Sequence, residues 1–318
     1  MRIDRLDRAG LAALEAAVRG GEPVRLGRGA VPGAGMLGRG GPALDELVPL
    51  CHAVDDPALA RWLPAPARPA PDRPGGALAV SVVIPTHRRR PIGLAALEAQ
   101  DIETELLVLA NGAYTEGVRV PWAGHGATRN VGARLARHPY VLFTVDDALP
   151  LGASFVRTLV EALLGGGHDA VYARQVPWPT SDPVTRARLR AWTPPPDPDG
   201  RPVTTPGATL DNVAALYRRS VLLADPFDNV DIAEDWRWGR RHDVAYVPAA
   251  VVAHAHPRRF GELYTRTRAI HAVRIAAGEP AAVPGLGALV TALPGVVGAD
   301  APGALGELLG QFVAGRRR

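Results

Sequence analysis

The 318 residues contain no lysine; every basic side chain apart from histidine is arginine. Chemistry that needs a primary amine on a side chain is therefore excluded: a P-loop lysine, a Schiff-base lysine, a pyridoxal phosphate anchor. A single cysteine, Cys51, rules out an internal disulfide and any zinc site built from cysteines, and makes a reducing compartment the default expectation. No run of about 18 apolar residues occurs that would span a membrane. The first ten residues, MRIDRLDRAG, are charged where a secretory signal needs its apolar core. The expectation is a cytoplasmic protein, at most peripheral to the inner face of the membrane. Charge of one sign is also scarce: the formal excess is +4, with the arginines scattered, which argues against nucleic acid as the main partner.

What is present suits a globular chain, with 47% hydrophobic and 21% charged residues and length enough for one large domain or two modest ones. Residues 1–76 are expected to be a small helical and irregular extension. Helical spacing occurs over 6–18, with Leu11, Leu14 and Val18 on one side, and again over 44–54. Between them GAGMLG, residues 33–38, has the three-glycine form of a dinucleotide fingerprint but lacks the strand before it and the helix after it. PAPARPAPDRPGG, residues 64–76, is a proline-rich linker.

From residue 78 the pattern changes to β-branched runs separated by helical ones. LAVSVVIPT predicts a buried strand, 92–100 a helix, and 105–109 a second strand opening into Ala110-Asn111-Gly112. GATRNVGARLAR, 126–137, predicts a helix feeding a third strand, 140–145. Strand and helix in alternation describe an α/β fold with a mostly parallel central sheet and flanking helices. A helix over 153–164 and a strand over 170–176 follow. Residues 177–206 are rich in proline and polar residues, which reads either as a mobile lid or acceptor loop, or as a plain surface insertion. Order resumes at 212–219, then a helix over 232–241, a strand over 244–253, an arginine-rich helix over 258–277 and an apolar helical tail. The implied domains are 1–76, 77–260 and 261–318.

The third strand ends in VLFTVDDALP, residues 141–150. In an open α/β sheet ligands bind beyond the carboxyl ends of the strands. Two adjacent carboxylates there, Asp146 and Asp147, repel each other unless a cation lies between them and a ligand's phosphates; otherwise they merely start a loop or cap the next helix. Two further groups stand at element ends. Glu234 and Asp235 open a helix, where they would also be favourable first-turn charges. His254 and His256, two apart, would share a face of a continuing strand. Converging on one rim, the three groups would supply a hard-cation site and a carboxylate able to take a proton.

These pieces, in order, resemble the family 2 glycosyltransferases of GT-A fold, especially their bacterial rhamnosyltransferase-like branch. SVVIPTHRR is similar to that family's nucleotide-binding strand and turn, LLVLANGA to its base-contacting loop, and GATRNVGARLA to its glycine-arginine-asparagine helix. FTVDDALP stands at the place of its DxD motif, AEDWRWGRR at its glutamate-aspartate motif, and VPAAVVAHAHP at its closing strand and histidine. The resemblance implies nucleotide-sugar contacts at Pro85, Thr86, Arg88, Asn111, Arg129, Asn130 and Asp146, and acceptor contacts at Asn212 and Trp236. It implies a metal site of Asp147, His254 and His256, holding Mn²⁺ or Mg²⁺. It also implies inverting transfer from a nucleotide-diphosphate sugar to a hydroxyl on a glycan, a lipid-linked or a small-molecule acceptor, with Asp235 as general base and Glu234 orienting the site. An aspartate at its ordinary pKa of ~4 is a weak base. Two departures stand out: Val145 replaces the first Asp of DxD, weakening the expected metal dependence, and Ala110-Asn111 replaces the usual acid after the second strand. Val145 leaves open a non-catalytic or metal-independent nucleotide-sugar-binding module. A sugar nucleotidyltransferase would need a glycine-rich loop and lysine where PTHRRR stands.

Overall fold

The structure, a computed structural model, describes residues 24–26, 29–31 and 78–316, except 88–89, 112–116, 121–123, 199–209, 231, 257, 285 and 294–299. Arg88, Cys51, the 33–38 glycine segment, the two N-terminal helical stretches and the proline-rich linker lie outside the described residues. A short antiparallel pair, β1 (Val24–Leu26) and β2 (Gly29–Val31), precedes the main body.

β3 (Ala79–Thr86) and β4 (Glu103–Ala110) run parallel in continuous register from Ala79↔Glu103 to Thr86↔Ala110. β5 (Val118–Arg119) extends this edge, and β6 (Tyr140–Thr144) pairs parallel with β3 on its other side. β7 (Leu149–Leu151), β8 (Ala170–Val176), β9 (Ala214–Arg218) and β10 (Val244–Ala253) complete a sheet of order β5-β4-β3-β6-β9-β8-β10-β7. Four of its seven pairings are parallel; β9 runs antiparallel to both neighbours and β7 antiparallel to β10. This is the α/β arrangement, mostly parallel with flanking helices, that the GT-A resemblance implies.

Strand side chains alternate between two covered faces. Val80, Val82 and Ile84 pack beneath α1 (Leu94–Glu98) and α3 (Phe155–Gly166), where Leu97, Phe155, Val156, Leu159, Val160 and Leu163 are buried. Val83, Val141 and Phe143 face the other way, against α2 (His125–Leu135) and a cluster with Tyr217, Phe227 and Trp238. Burial on both faces explains why these strands read as unbroken apolar runs. Helix α2 can lie this close only because position 132 is glycine: a Cβ there would sit 2.3 Å from Val83 Cγ1 and 3.1 Å from Leu109 Cδ1. Gly132→Val is therefore expected to destabilise the fold by about 1–3 kcal/mol, the usual range for overpacking, measurable as a lower urea midpoint at unchanged slope.

Two strands differ from their sequence-based description. Leu149–Leu151, where the sequence suggested either a loop or the start of the next helix, is an edge strand; Pro150 is tolerated there because the edge needs no second ladder. Residues 212–219, expected only to be ordered, contain β9, whose antiparallel course brings its amino end, Ala214, opposite Thr144 at the carboxyl end of β6. In β10 the ladder jumps: Val247 pairs with Ala173 and Val251 with Arg174, so 248–250 stand out as a bulge around Pro248, which has no N–H to donate.

The 177–206 segment, expected to be lid or insertion, contains α4 (Pro183–Trp192), begun by Asp182, whose Oδ1 accepts from Thr185 N at 2.9 Å. Beyond α5 (Arg219–Ala224) and α6 (Glu234–Gly239), the C-terminal region is helical as expected: α7 (Phe260–Ala276), α8 (Leu286–Ala292) and α9 (Ala301–Gly315). Arg258 ties α9 down through Asp300 (2.6 Å) and Glu307 (3.1 Å). No helix among the described residues is long and apolar enough to cross a membrane.

Candidate active site

The carboxyl ends of β3, β4, β6, β8 and β10 and the amino end of β9 share one rim, and Thr86, Asn111, Asp146, Asp147, Asn212 and His254 stand at or just beyond these strand ends. At the β3 end, Thr86 Oγ1 donates to Asp146 Oδ2 at 2.7 Å, and Asn111 N donates to Thr86 O at 2.9 Å. Asn111 Nδ2 also reaches Thr128 Oγ1 on α2 at 3.2 Å. Pro85 is the residue before this turn, still within β3. Thr86, Asn111 and Asp146 thus form one hydrogen-bonded corner, with Asn111 and Asp146 half-buried.

Asp147, His254 and His256 form the second group, with one ligand atom from each lying within 4.8 Å of the others. His254 Nε2 lies 3.5 Å from Asp147 Oδ1 and 3.1 Å from His256 Nε2, while His256 Nδ1 is 3.8 Å from Asp147 Oδ2. His254 is buried, and burial, followed by neighbouring His256, pushes its pKa down to about 4, against the pull of Asp147. It is therefore neutral at pH 7, the form that ligates a metal. One carboxylate and two imidazoles suit a divalent cation of borderline hardness.

The third group is a knot of acids and amides at the start of α6. Ala233, at φ 64° and ψ 27°, is the one non-glycine residue with left-handed backbone among those described. That conformation costs about 1–2 kcal/mol and turns the chain so that Glu234 and Asp235 open the helix. Glu234 is buried and paired with buried Arg129 at 2.9 Å. Helix α2, which carries Arg129, meets α6 closely at Gly126, where a Cβ would lie 2.1 Å from Asp228 O and 3.4 Å from Glu234 Cβ. Asn212 N donates to Asp235 Oδ2 (2.9 Å), Asn212 Nδ2 to Glu234 Oε1 (3.1 Å), and Tyr217 OH to Asn212 Oδ1 (2.7 Å). Burial pushes the Tyr217 hydroxyl well up, so it stays a donor. Asp235 Oδ1 accepts from Trp236 N at 2.7 Å. Desolvation, then the charges of Glu234 and Asp211, raise the Asp235 pKa to about 8. A carboxylate raised in this way holds a proton more strongly than an ordinary aspartate.

Several residues expected to touch ligands are instead engaged with the protein. Asn212 is buried with its amide bonded at both ends. Asn130 exchanges two hydrogen bonds with the Phe227 backbone, at 2.9 and 3.0 Å. Trp236 is 8% exposed, with the guanidinium groups of Arg240 and Arg274 over its ring at 5.0 and 5.4 Å. Two residues the sequence did not single out belong to the rim. Gln175, next to last in β8, and Asp211, just before Asn212, are joined at 2.6 Å, and Gln175 Oε1 lies 3.1 Å from His254 Nδ1. The polar pair Arg174-Gln175 near the ligand-facing end of a mostly apolar strand was the available signal.

The sequence matches no protein-family profile and no curated protein. Solved structures do resemble the chain. TarS 1-349 from S. aureus, in complex with UDP-GlcNAc, is 16% identical; the match has a TM-score of 0.43 and covers 62% of this chain and 66% of that one, just under two thirds. The mannosyltransferase PcManGT from Pyrobaculum calidifontis, in complex with GDP-Man and Mn²⁺, is 17% identical with a TM-score of 0.47, covering 86% of this chain and 81% of that one. At such scores neither likeness says what this chain binds or does.

Proposed function

We propose that this rim carries inverting glycosyl transfer from a nucleotide-diphosphate sugar to an acceptor hydroxyl, as the resemblance to the bacterial rhamnosyltransferase-like branch of family 2 suggests. The observation that carries the reading is the meeting, on one sheet edge, of the Asp147–His254–His256 group and a desolvated Asp235. Asp147, His254 and His256 would hold Mn²⁺ or Mg²⁺. When bound, such an ion neutralises negative charge building on a diphosphate leaving group. The corner of Thr86, Asn111 and Asp146 takes the nucleotide. Asn111 offers amide donor and acceptor atoms to a base edge.

Asp235 accepts the proton of the attacking hydroxyl as the new bond to the anomeric carbon forms. Backbone N–H groups of Asn212 and Trp236 hold one oxygen each, so the carboxylate is oriented before the acceptor arrives. Glu234, fixed by Arg129 and Asn212, keeps negative charge beside Asp235 and so sustains its basicity.

A second reading has one observation in its favour. Val145 packs against the apolar core where the family has an acid, which suits a metal-independent or non-catalytic nucleotide-sugar-binding module. A thermal-shift screen against UDP-, GDP- and dTDP-sugars, each with Mn²⁺, Mg²⁺ or chelator, separates the two. A donor at a hundred times its dissociation constant stabilises the fold by about 2.7 kcal/mol. The transferase reading expects one nucleotide class to do so, more strongly with metal, and to be turned over. Equal shifts in chelator without turnover favour the binding module; no shift with any donor overturns both.

A further inference from the structure

Resting on the metal-site reading above, we infer that Gln175 and Asp211 are positioning residues that set the tautomer and ring orientation of His254, so that Nε2 presents its lone pair to a cation. Asp211 Oδ2 lies 2.6 Å from the Gln175 side-chain amide. A carboxylate only accepts, so the amide must turn its NH₂ toward Asp211 and its carbonyl Oε1 away. Oε1 then faces His254 Nδ1 at 3.1 Å, and a carbonyl only accepts, so the proton sits on Nδ1. A neutral imidazole protonated at Nδ1 has its lone pair on Nε2, the atom that faces Asp147 and His256.

Each link of this chain is anchored. Gln175 is 5% exposed and His254 is 5% exposed, so water is a poor substitute partner for either. Gln175 N donates to Thr193 Oγ1 at 3.2 Å, and Asp211 Oδ1 accepts from Val213 N at 3.0 Å, which hold the middle and the outer member of the relay in place. Asp211 is also the neighbour of Asn212, whose N–H holds Asp235. The turn entering β9 therefore serves the cation group with one residue and the carboxylate group with the next.

The test compares wild type, Gln175→Leu, Asp211→Ala, His254→Ala and the exchange Gln175→Glu with Asp211→Asn. The exchange reverses the polarity of the relay while keeping its output. The introduced asparagine would donate to the introduced glutamate, whose other oxygen still accepts from His254 Nδ1. Two readouts are taken: the imidazole ¹⁵N shifts of metal-free protein, with His254→Ala assigning the resonances, and Mn²⁺ affinity from the free-ion electron paramagnetic resonance signal, with Mn²⁺ alone as ligand. Wild type should show His254 protonated at Nδ1. Gln175→Leu and Asp211→Ala should lose that single tautomer and weaken Mn²⁺ binding by about 10-fold or more, while the exchange restores the tautomer and brings affinity back to within about 3-fold of wild type.

A wild-type tautomer and affinity in Gln175→Leu overturns the relay, as does an exchange variant no better than Gln175→Leu. If either single variant does not fold, the other and the exchange decide alone. Loss of Mn²⁺ in His254→Ala but not in Gln175→Leu would leave the metal site standing and remove the relay. Unchanged Mn²⁺ affinity in His254→Ala would remove the metal reading itself, and with it any purpose for the relay.

Discussion

Asp235→Asn is expected to lower transfer by about 10²–10⁴-fold, the contribution of a positioned general base, while leaving the thermal shift produced by donor unchanged. Asparagine fits the same space and still accepts from the Asn212 N–H, but it cannot take a proton. The wild-type pH profile carries the same information. With a pKa raised to about 8, kcat/KM should climb as pH rises and level off only above that value. Turnover retained in Asp235→Asn would remove Asp235 from the mechanism.

A second consequence needs no substrate. Unfolded, Asp235 would titrate near ~4; folded, it titrates at about 8. Between those values the native protein holds a proton that the unfolded chain has released, so stability falls as pH rises through this window. The loss is complete once the folded group has ionised. Asp235→Asn should flatten that slope, a comparison made with urea unfolding at pH 5 and pH 9.

Arg129→Met is expected to cost about 3–5 kcal/mol of folding stability, because it strands a buried carboxylate. Arg129 is 4% exposed and Glu234 is 3% exposed, and they meet at 2.9 Å. Without the guanidinium, Glu234 relies on the neutral amide of Asn212 for its side-chain hydrogen bond. Combining Arg129→Met with Glu234→Leu should recover most of the loss, since an apolar pair has no desolvation penalty to offset. Chemical denaturation of both variants checks this; a loss below about 1 kcal/mol in the single variant would show that Glu234 finds another partner or a proton.

The candidate acids and histidines could be assigned to strand ends from sequence because a strand's end can be read locally. VLFTV running into two acids, and VVA running into two histidines, need no partner to be recognised. The strands over 170–176 and 244–253 match the structure residue for residue, since each starts after an aspartate and stops at a residue that breaks the pattern, Pro177 or His254. Helix α4 was hidden by the prolines around it, although Ser-Asp-Pro-Val-Thr carries a cap and a first-turn proline. The antiparallel course of β9 was not legible at all, because five residues of AALYR look the same in either direction. Gln175 is 36 residues from Asp211 and 79 from His254. Spacing along the chain carries no trace of such pairings. The raised pKa of Asp235 is only partly of this kind: desolvation by the fold comes first, then Glu234, its neighbour in the motif, and then Asp211, which the fold brings close. Arg129 and Asn212 carry polar groups that suggested ligand contacts, yet folding directs them at Glu234 and Asp235.

The bulge in β10 sets aside three residues at a point where a regular strand advances about 3.3 Å per residue. Had 248–250 stayed in the ladder, position 250 would stand opposite Val176, and His254 would overshoot the rim by roughly 10 Å. Instead the slack is gathered mid-strand, and Ala253 lies opposite Val176. The two halves of β10 are thereby uncoupled: the first is registered by Ala170 to Ala173, the second by Arg174 to Val176. The histidines therefore emerge where the second half of β10 is registered, while Ala250 of the bulge is buried in the core beneath the sheet.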